Sequence, residues 1–211
     1  MSRGTGTPPA IGRRGFLCGA AGVAALFALG GAGACIGTSE GLIRPPGTLG
    51  TGELMSLCIR CDRCRGACPQ SVIVLSSLED GPMSMQTPKL DFTESYCDLC
   101  GVLTEDGGYG QPQCVAACPT GALQDMAWDE VVLGTAQVDA QECIAYTNNG
   151  GCDVCVGVCP YGAVSLDEYR RPVVEASLCN GCGYCECECP SHMYRSFSGS
   201  SNRGIYVRAA Q

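Results

Sequence analysis

The sequence predicts an α+β fold of short strands, short helices and much loop, organised by its cysteines more than by an apolar core. Three observations carry that expectation: cysteines recurring in four groups, a shortage of large rings, and brief strand-like stretches between the groups. The 211 residues include Cys 19 and Gly 30 against Trp 1, His 1 and an aromatic share of 6%. An ordinary interior leans on aromatic and branched apolar side chains, so this one needs another organiser. Cysteine at this density leaves a disulfide framework, structural zinc or iron–sulfur clusters, and spacing has to choose.

The first 45 residues read as an address. Gly12-Arg13-Arg14-Gly15-Phe16-Leu17 sets a twin-arginine pair before an uncharged stretch over 15–34, closed by Ala32-Gly33-Ala34, an A-x-A cleavage pattern. Residues 1–34 are therefore expected to be a twin-arginine signal peptide, 35–52 a linker, 53–195 the cysteine-bearing domain and 196–211 a C-terminal tail. A single membrane anchor is the competing reading of 15–34, but that stretch is Gly- and Ala-rich and only weakly hydrophobic. Cys35, directly after Ala34, also resembles a lipoprotein cleavage site, while Cys18 lies within the signal.

Past the leader the chain is acidic. The formal net charge is −8, and from residue 45 onward nine basic residues face twenty acidic ones, a net −11. With no basic stripe to follow a phosphate backbone, nucleic acid is excluded as a partner class. A basic docking surface on a partner protein fits this balance.

The cysteines of the domain fall into four runs, each closing on Cys-x3-Cys-Pro. Run one is Cys58, Cys61, Cys64 and Cys68, and run four is Cys179, Cys182, Cys185 and Cys189, both with the uninterrupted spacing x2, x2, x3. Run two is Cys97, Cys100, Cys114 and Cys118, and run three is Cys143, Cys152, Cys155 and Cys159, each stretched by one insertion. Those insertions hold Gly107-Gly108-Tyr109-Gly110 and Asn148-Asn149-Gly150-Gly151, loops that lengthen at small entropic cost. Zinc ribbons ask for no third cysteine at the next x2 followed by Cys-Pro, and disulfides at these spacings would crowd into strained loops. The spacing is that of [4Fe–4S] ligation.

Three thiolates of a run wrap one site. The fourth, expected to start a short helix, points to a neighbouring site, so runs come in pairs and four runs make two. The sixteen cysteines are then the iron ligands of four [4Fe–4S] clusters, a three-iron cluster or one incomplete site being the variant. Cys-x-x-Cys-His is absent from the sequence, which excludes c-type haem. Strand-like pieces are Val131-Val132-Leu133, Ala136-Gln137-Val138 and Arg171-Pro172-Val173-Val174-Glu175.

Five further residues need a reading. Cys187 is out of register with run four and reads as a spare cysteine, His192 as a loop residue, and Trp128 as a cover over a cluster. Glu186 and Glu188, beside the last cysteines, are expected to make reduction there harder. No catalytic constellation stands out, so no substrate chemistry is expected.

Taken together, these stretches resemble the NapG/MauM group of ferredoxin-type proteins. The likeness rests on Arg13 to Leu17, Leu42-Ile43-Arg44-Pro45-Pro46-Gly47, Thr87-Pro88, Cys97-Asp98-Leu99-Cys100, Ala117 to Leu123 and Cys152-Asp153-Val154-Cys155. The resemblance implies a ferredoxin-like polyferredoxin of two paired dicluster modules. It implies an exported electron carrier, working in the periplasm or at the outer face of the cytoplasmic membrane. Electrons would pass from a NapH-like, quinol-oxidising membrane iron–sulfur protein to a periplasmic molybdenum reductase, foremost a nitrate reductase. Other exported reductases, for sulfoxides, selenate or polysulfide, are the alternative, and a redox-silent zinc- or disulfide-stapled protein is the alternative of another class. It also implies that run one shares its clusters with run four, and run two with run three.

Overall fold

The computed structural model describes residues 41–101, 110–127, 130–147, 151–194 and 202–210. The expected signal (1–34), Trp128 and the insertion tips 102–109 and 148–150 lie outside the described residues.

The segment before run one is packed rather than loose. Leu90 N–H donates to the Ile43 carbonyl at 2.7 Å, and Gln124 N–H to that of Gly47 at 2.8 Å. Gly47 sits at φ +83°, and a Cβ there would lie 2.2 Å from the Gln124 oxygen, so the position admits only glycine. Helix α1, Thr51–Leu57, follows and buries Leu54. Helix α2, Arg63–Ala67, leads to an antiparallel hairpin of β1, Ile73–Leu75, and β2, Pro88–Leu90, paired Ile73 with Leu90 and Leu75 with Pro88. Helix α3, Gln113–Ala116, closes this half.

The same order then recurs. Strand β3, Gly134–Val138, and helix α4, Ile144–Thr147, precede helix α5, Val154–Val158. A second hairpin, β4 Val164–Leu166 with β5 Pro172–Val174, leads to helices α6, Tyr184–Cys187, and α7, Ser191–Tyr194. Helix, hairpin, helix is thus repeated: α2 packs on α3 and α5 on α6.

Two sequence expectations differ from this outcome. Val131 to Leu133 form no strand; Leu133 N–H instead donates to the Asn180 carbonyl at 2.8 Å. Within the expected tail, Ile205–Ala209 form β6, which pairs antiparallel with β3 from Gly134–Ala209 to Val138–Ile205. Alternation explains why it docks, since Ile205 and Val207 are buried while Arg208 faces out.

The interior is aliphatic with sulfur woven through it. Leu54, Ile73, Leu90, Leu99, Val164 and Ile205 share one cluster with buried cysteines, and Phe92 is the buried aromatic ring among the described residues.

The halves meet at one seam. Cys97 N–H donates to the Cys182 carbonyl at 2.9 Å, and the Tyr96 and Tyr184 rings stack with centroids 3.9 Å apart, inclined by 12°. Arg203 spans the same seam, donating to the carbonyls of Glu186 and Cys187 at 2.6 Å and to that of Thr93.

Candidate functional site

Four cavities carry the cysteines. One is lined by Cys58, Cys61, Cys64 and Cys118, a second by Cys97, Cys100, Cys114 and Cys68. A third is lined by Cys179, Cys182, Cys185 and Cys159, and a fourth by Cys143, Cys152, Cys155 and Cys189. Each takes three cysteines from one run and the Cys-Pro cysteine of another, and the stretched runs two and three reach the same arrangement as the unbroken ones.

Which runs exchange their fourth cysteine differs from what the resemblance implied. Run one couples with run two, and run three with run four. The cause lies in helix geometry and chain connection. Cys64 and Cys68 stand four residues apart across α2, as do Cys155 and Cys159 across α5, and residues so spaced are neighbours on one helix face. One helix therefore serves two adjacent cavities, and the cavity it can reach is that of the helix packed on it. The β1–β2 and β4–β5 hairpins return the chain beside the run it has just left.

The helices also sit differently from the expectation. Cys68 and Cys159 are the C-caps of α2 and α5, so the Cys-Pro cysteine ends a helix instead of starting one. Pro190 alone leads directly into a further helix, α7.

All seventeen described cysteines are free thiols. Among the described residues, no group of three His, Cys, Asp or Glu side chains converges closely enough for a single ion. Each quartet instead surrounds a void, a donor set that suits an inorganic cube with a thiolate at each corner. Burial pushes the Cys64 thiol up to about 11, and those of Cys114 and Cys155 up to about 12. Cys97 and Cys185 are driven higher still, burial again being the main cause. Such thiols ionise only with a strong positive charge beside them, which iron supplies.

Backbone donors complete the sites. Ala136 N–H donates to Cys179 Sγ at 3.4 Å and Ala163 N–H to Cys159 Sγ at 3.3 Å. Around Cys118, burial works to raise the thiol, but donors from Leu123, Thr120 and Ala122 outweigh it and bring the thiol below its ordinary value. The Thr-Gly-Ala-Leu stretch after Cys118 thus feeds N–H groups to sulfur, beyond the close packing that its small residues suggest.

The remaining candidate residues fall outside the quartets. Cys187 lines none of the four cavities. His192 Nδ1–H donates to the Cys189 carbonyl at 2.9 Å, fixing the turn into α7. Glu186 accepts from Val207 N–H at 2.7 Å and so ties β6 to run four. Burial raises its carboxyl above the usual range, with Arg203 opposing, while Glu188 faces water.

One residue beside the first cavity escaped the sequence reading. Arg44 is 8% exposed and donates to Thr87 Oγ1 at 2.9 Å, Pro88 O at 2.8 Å and Ser84 Oγ at 3.3 Å. Pro88 lines the cavity of Cys58, Cys61, Cys64 and Cys118, so the guanidinium stands directly behind its wall. The Arg-Pro-Pro-Gly element was its only signal in the sequence.

Known proteins share stretches of this sequence. A family model described as a 4Fe-4S dicluster domain matches residues 57–122, a stretch that encloses runs one and two together. A methylamine utilization ferredoxin-type protein MauM of Methylobacillus flagellatus is 34% identical over 160 residues, 70% of this chain and 64% of that protein. The ferredoxin-type protein NapG of Escherichia coli is 32% identical over 162 residues, 70% of this chain and 65% of that protein. The MauM of Methylorubrum extorquens is 31% identical over 159 residues, covering 70% of this chain and 67% of that relative. The chain thus spans about two-thirds of the length of these relatives. On its four cysteine cavities and on these matches, the chain belongs to the MauM/NapG family of ferredoxin-type iron–sulfur electron-transfer proteins.

Proposed function

We propose that the chain conducts electrons through four [4Fe–4S] clusters, held by the sixteen cysteines of the four quartets and arranged as two dicluster modules. The observation that carries this reading is the fourfold recurrence of one cavity, each lined by four thiols drawn from two coupled runs. When bound, such clusters supply reversible one-electron chemistry. The chain supplies position, insulation and charge. Within a half, Cys64 with Cys68 and Cys155 with Cys159 each bridge two cavities through one helical turn. Between halves, the hydrogen bond from Cys97 N–H to the Cys182 carbonyl joins the second cavity to the third. The cavities therefore form a line: run one, run two, run four, run three.

The chain works on the far side of the cytoplasmic membrane, reached already folded through its twin arginines. It relays electrons from a membrane quinol-oxidising iron–sulfur protein to a periplasmic molybdenum reductase; likeness to NapG proteins supports this reading. A second reading, service to a methylamine-oxidising system, is favoured by relatives named for methylamine utilization at 33–34% identity.

Anaerobic purification tests the cluster claim: about sixteen iron atoms per chain and a brown band bleached by dithionite are expected. Near-zero iron in colourless protein overturns it. The redox proteins that co-purify with the exported chain decide between the two systems.

A further inference from the structure

The four cysteine runs are not equally wrapped. Among the described cysteines only Cys61 is exposed, in the cavity at one end of the line. Charge singles out the same place. Between Cys58 and Cys68 lie Arg60, Arg63 and Arg65 against Asp62, whereas runs two, three and four hold only acidic residues between their first and last cysteines. All three arginines are exposed. Arg65 pairs with Asp62, which leaves the loop net positive on an otherwise acidic protein.

Apolar surface adjoins the charge. Ile59, beside Cys58, is 63% exposed, and Met83 and Met85 are 68% and 43% exposed. Arg60 ties that methionine segment to the loop, its Nε donating to Met85 O at 3.0 Å and its Nη2 to Met83 O at 3.4 Å. Adaptable methionines next to an isoleucine, rimmed by arginines, make the pattern of an interface centre with a polar edge. Of the acids near this loop and segment in the chain, Asp62 and Asp80 are already paired, with Arg65 and Lys89, while Glu53 and Glu79 are exposed.

We propose that the run-one loop, with the methionine segment strapped to it, is the docking face through which electrons cross to or from a redox protein whose own contact patch is acidic-rimmed and apolar at its centre. The reasoning is charge complementarity: this face would repel a basic partner and attract an acidic one, while the acidic body of the protein does the reverse. Cys61 places the terminal cavity's edge at the contact. The inference rests on the electron-carrier reading above, but it adds where the transfer occurs and with what kind of surface.

The test uses the full cluster-loaded chain and flavodoxin hydroquinone, an acidic one-electron donor, mixed by stopped flow. The expected rate falls as ionic strength rises, and Arg63→Glu/Arg65→Glu lowers the low-salt rate by about tenfold or more, the two proteins converging at high salt. Arg60→Glu added to that pair lowers it further by loosening the methionine strap. The same reversal placed elsewhere, Arg170→Glu/Arg208→Glu, does not slow reduction. Iron content and the extent of reduction by the small methyl viologen radical stay at parental values in the Arg63→Glu/Arg65→Glu protein. A rate that rises with salt, or one indifferent to the reversal at Arg63 and Arg65, overturns the docking face while leaving the carrier reading standing. A protein that methyl viologen radical cannot reduce overturns both.

Discussion

Runs one and four have identical spacing and follow the same backbone path through different surroundings. The second residue after the first cysteine is left-handed in both, Arg60 at φ +56° and Gly181 at φ +76°, and so is the residue after the second cysteine, Asp62 at +63° and Gly183 at +81°. In run four both positions face protein. A Cβ at Gly181 would lie 2.3 Å from the Gly134 backbone nitrogen, and one at Gly183 would lie 2.1 Å from the Phe92 ring. In run one Arg60 is exposed and reaches across to the Met83 and Met85 carbonyls, and Asp62 is half-buried in an exposed ion pair. The path is set by wrapping a site; what stands on it is set by what lies outside. Run four is sealed into the seam between the halves, and run one is open, so it can hold side chains there at a backbone cost of roughly 1 kcal/mol each.

The comparison can be broken first at Arg44, which backs the open cavity from inside. Arg44→Ala leaves the Pro88 carbonyl and the hydroxyls of Thr87 and Ser84 short of a buried donor. A loss of about 3 kcal/mol is expected, read as an earlier midpoint in anaerobic denaturation followed by bleaching of the visible band. A midpoint matching the parent's would show that water replaces the guanidinium. Gly183→Ala comes next: it sets a methyl against the Phe92 ring on a left-handed backbone, and about 2 kcal/mol should be lost. Its run-one counterpart, Asp62→Gly, should go the other way by about 0.5 kcal/mol, relief of the backbone exceeding loss of an exposed ion pair. If both substitutions destabilise alike, the two runs are not distinguished by their surroundings as argued.

Much of the candidate site was legible in the sequence, because the sixteen regularly spaced cysteines are those that line the four cavities and the Cys-Pro ends repeat intact. Which run each fourth cysteine visits was not. The four-residue step from Cys64 to Cys68 says that a second cavity lies alongside, but only the β1–β2 hairpin, through Ile73–Leu90 pairing, says that it belongs to run two. The exchange of Cys118 and Cys68 between consecutive runs is therefore tertiary information. Strand β6 was missed for a similar reason: its partner β3 lies far upstream, and its five alternating residues look like a tail until Glu186 and Gly134 are seen beside it. Val131 to Leu133 failed in the opposite sense. Three branched apolar residues suggest a strand, yet among the described residues no strand pairs with them, and burial of Val131 and Leu133 accounts for their character. Arg44 was legible as part of a motif but not as a buried cation, since nothing local marks the hydroxyls that receive it.

The coupling of consecutive runs is the claim on which the line of cavities depends, and one spectroscopic comparison tests it directly. Cys118→Ser, Cys61→Ser and Cys152→Ser proteins, each prepared anaerobically, would be followed by electron paramagnetic resonance during a redox titration. Because Cys118 lines the cavity of Cys58, Cys61 and Cys64, the first two substitutions should alter the same cluster signal, and Cys152→Ser a different one. If Cys118→Ser and Cys152→Ser alter one shared signal while Cys61→Ser alters another, runs two and three are coupled instead, and the account is contradicted.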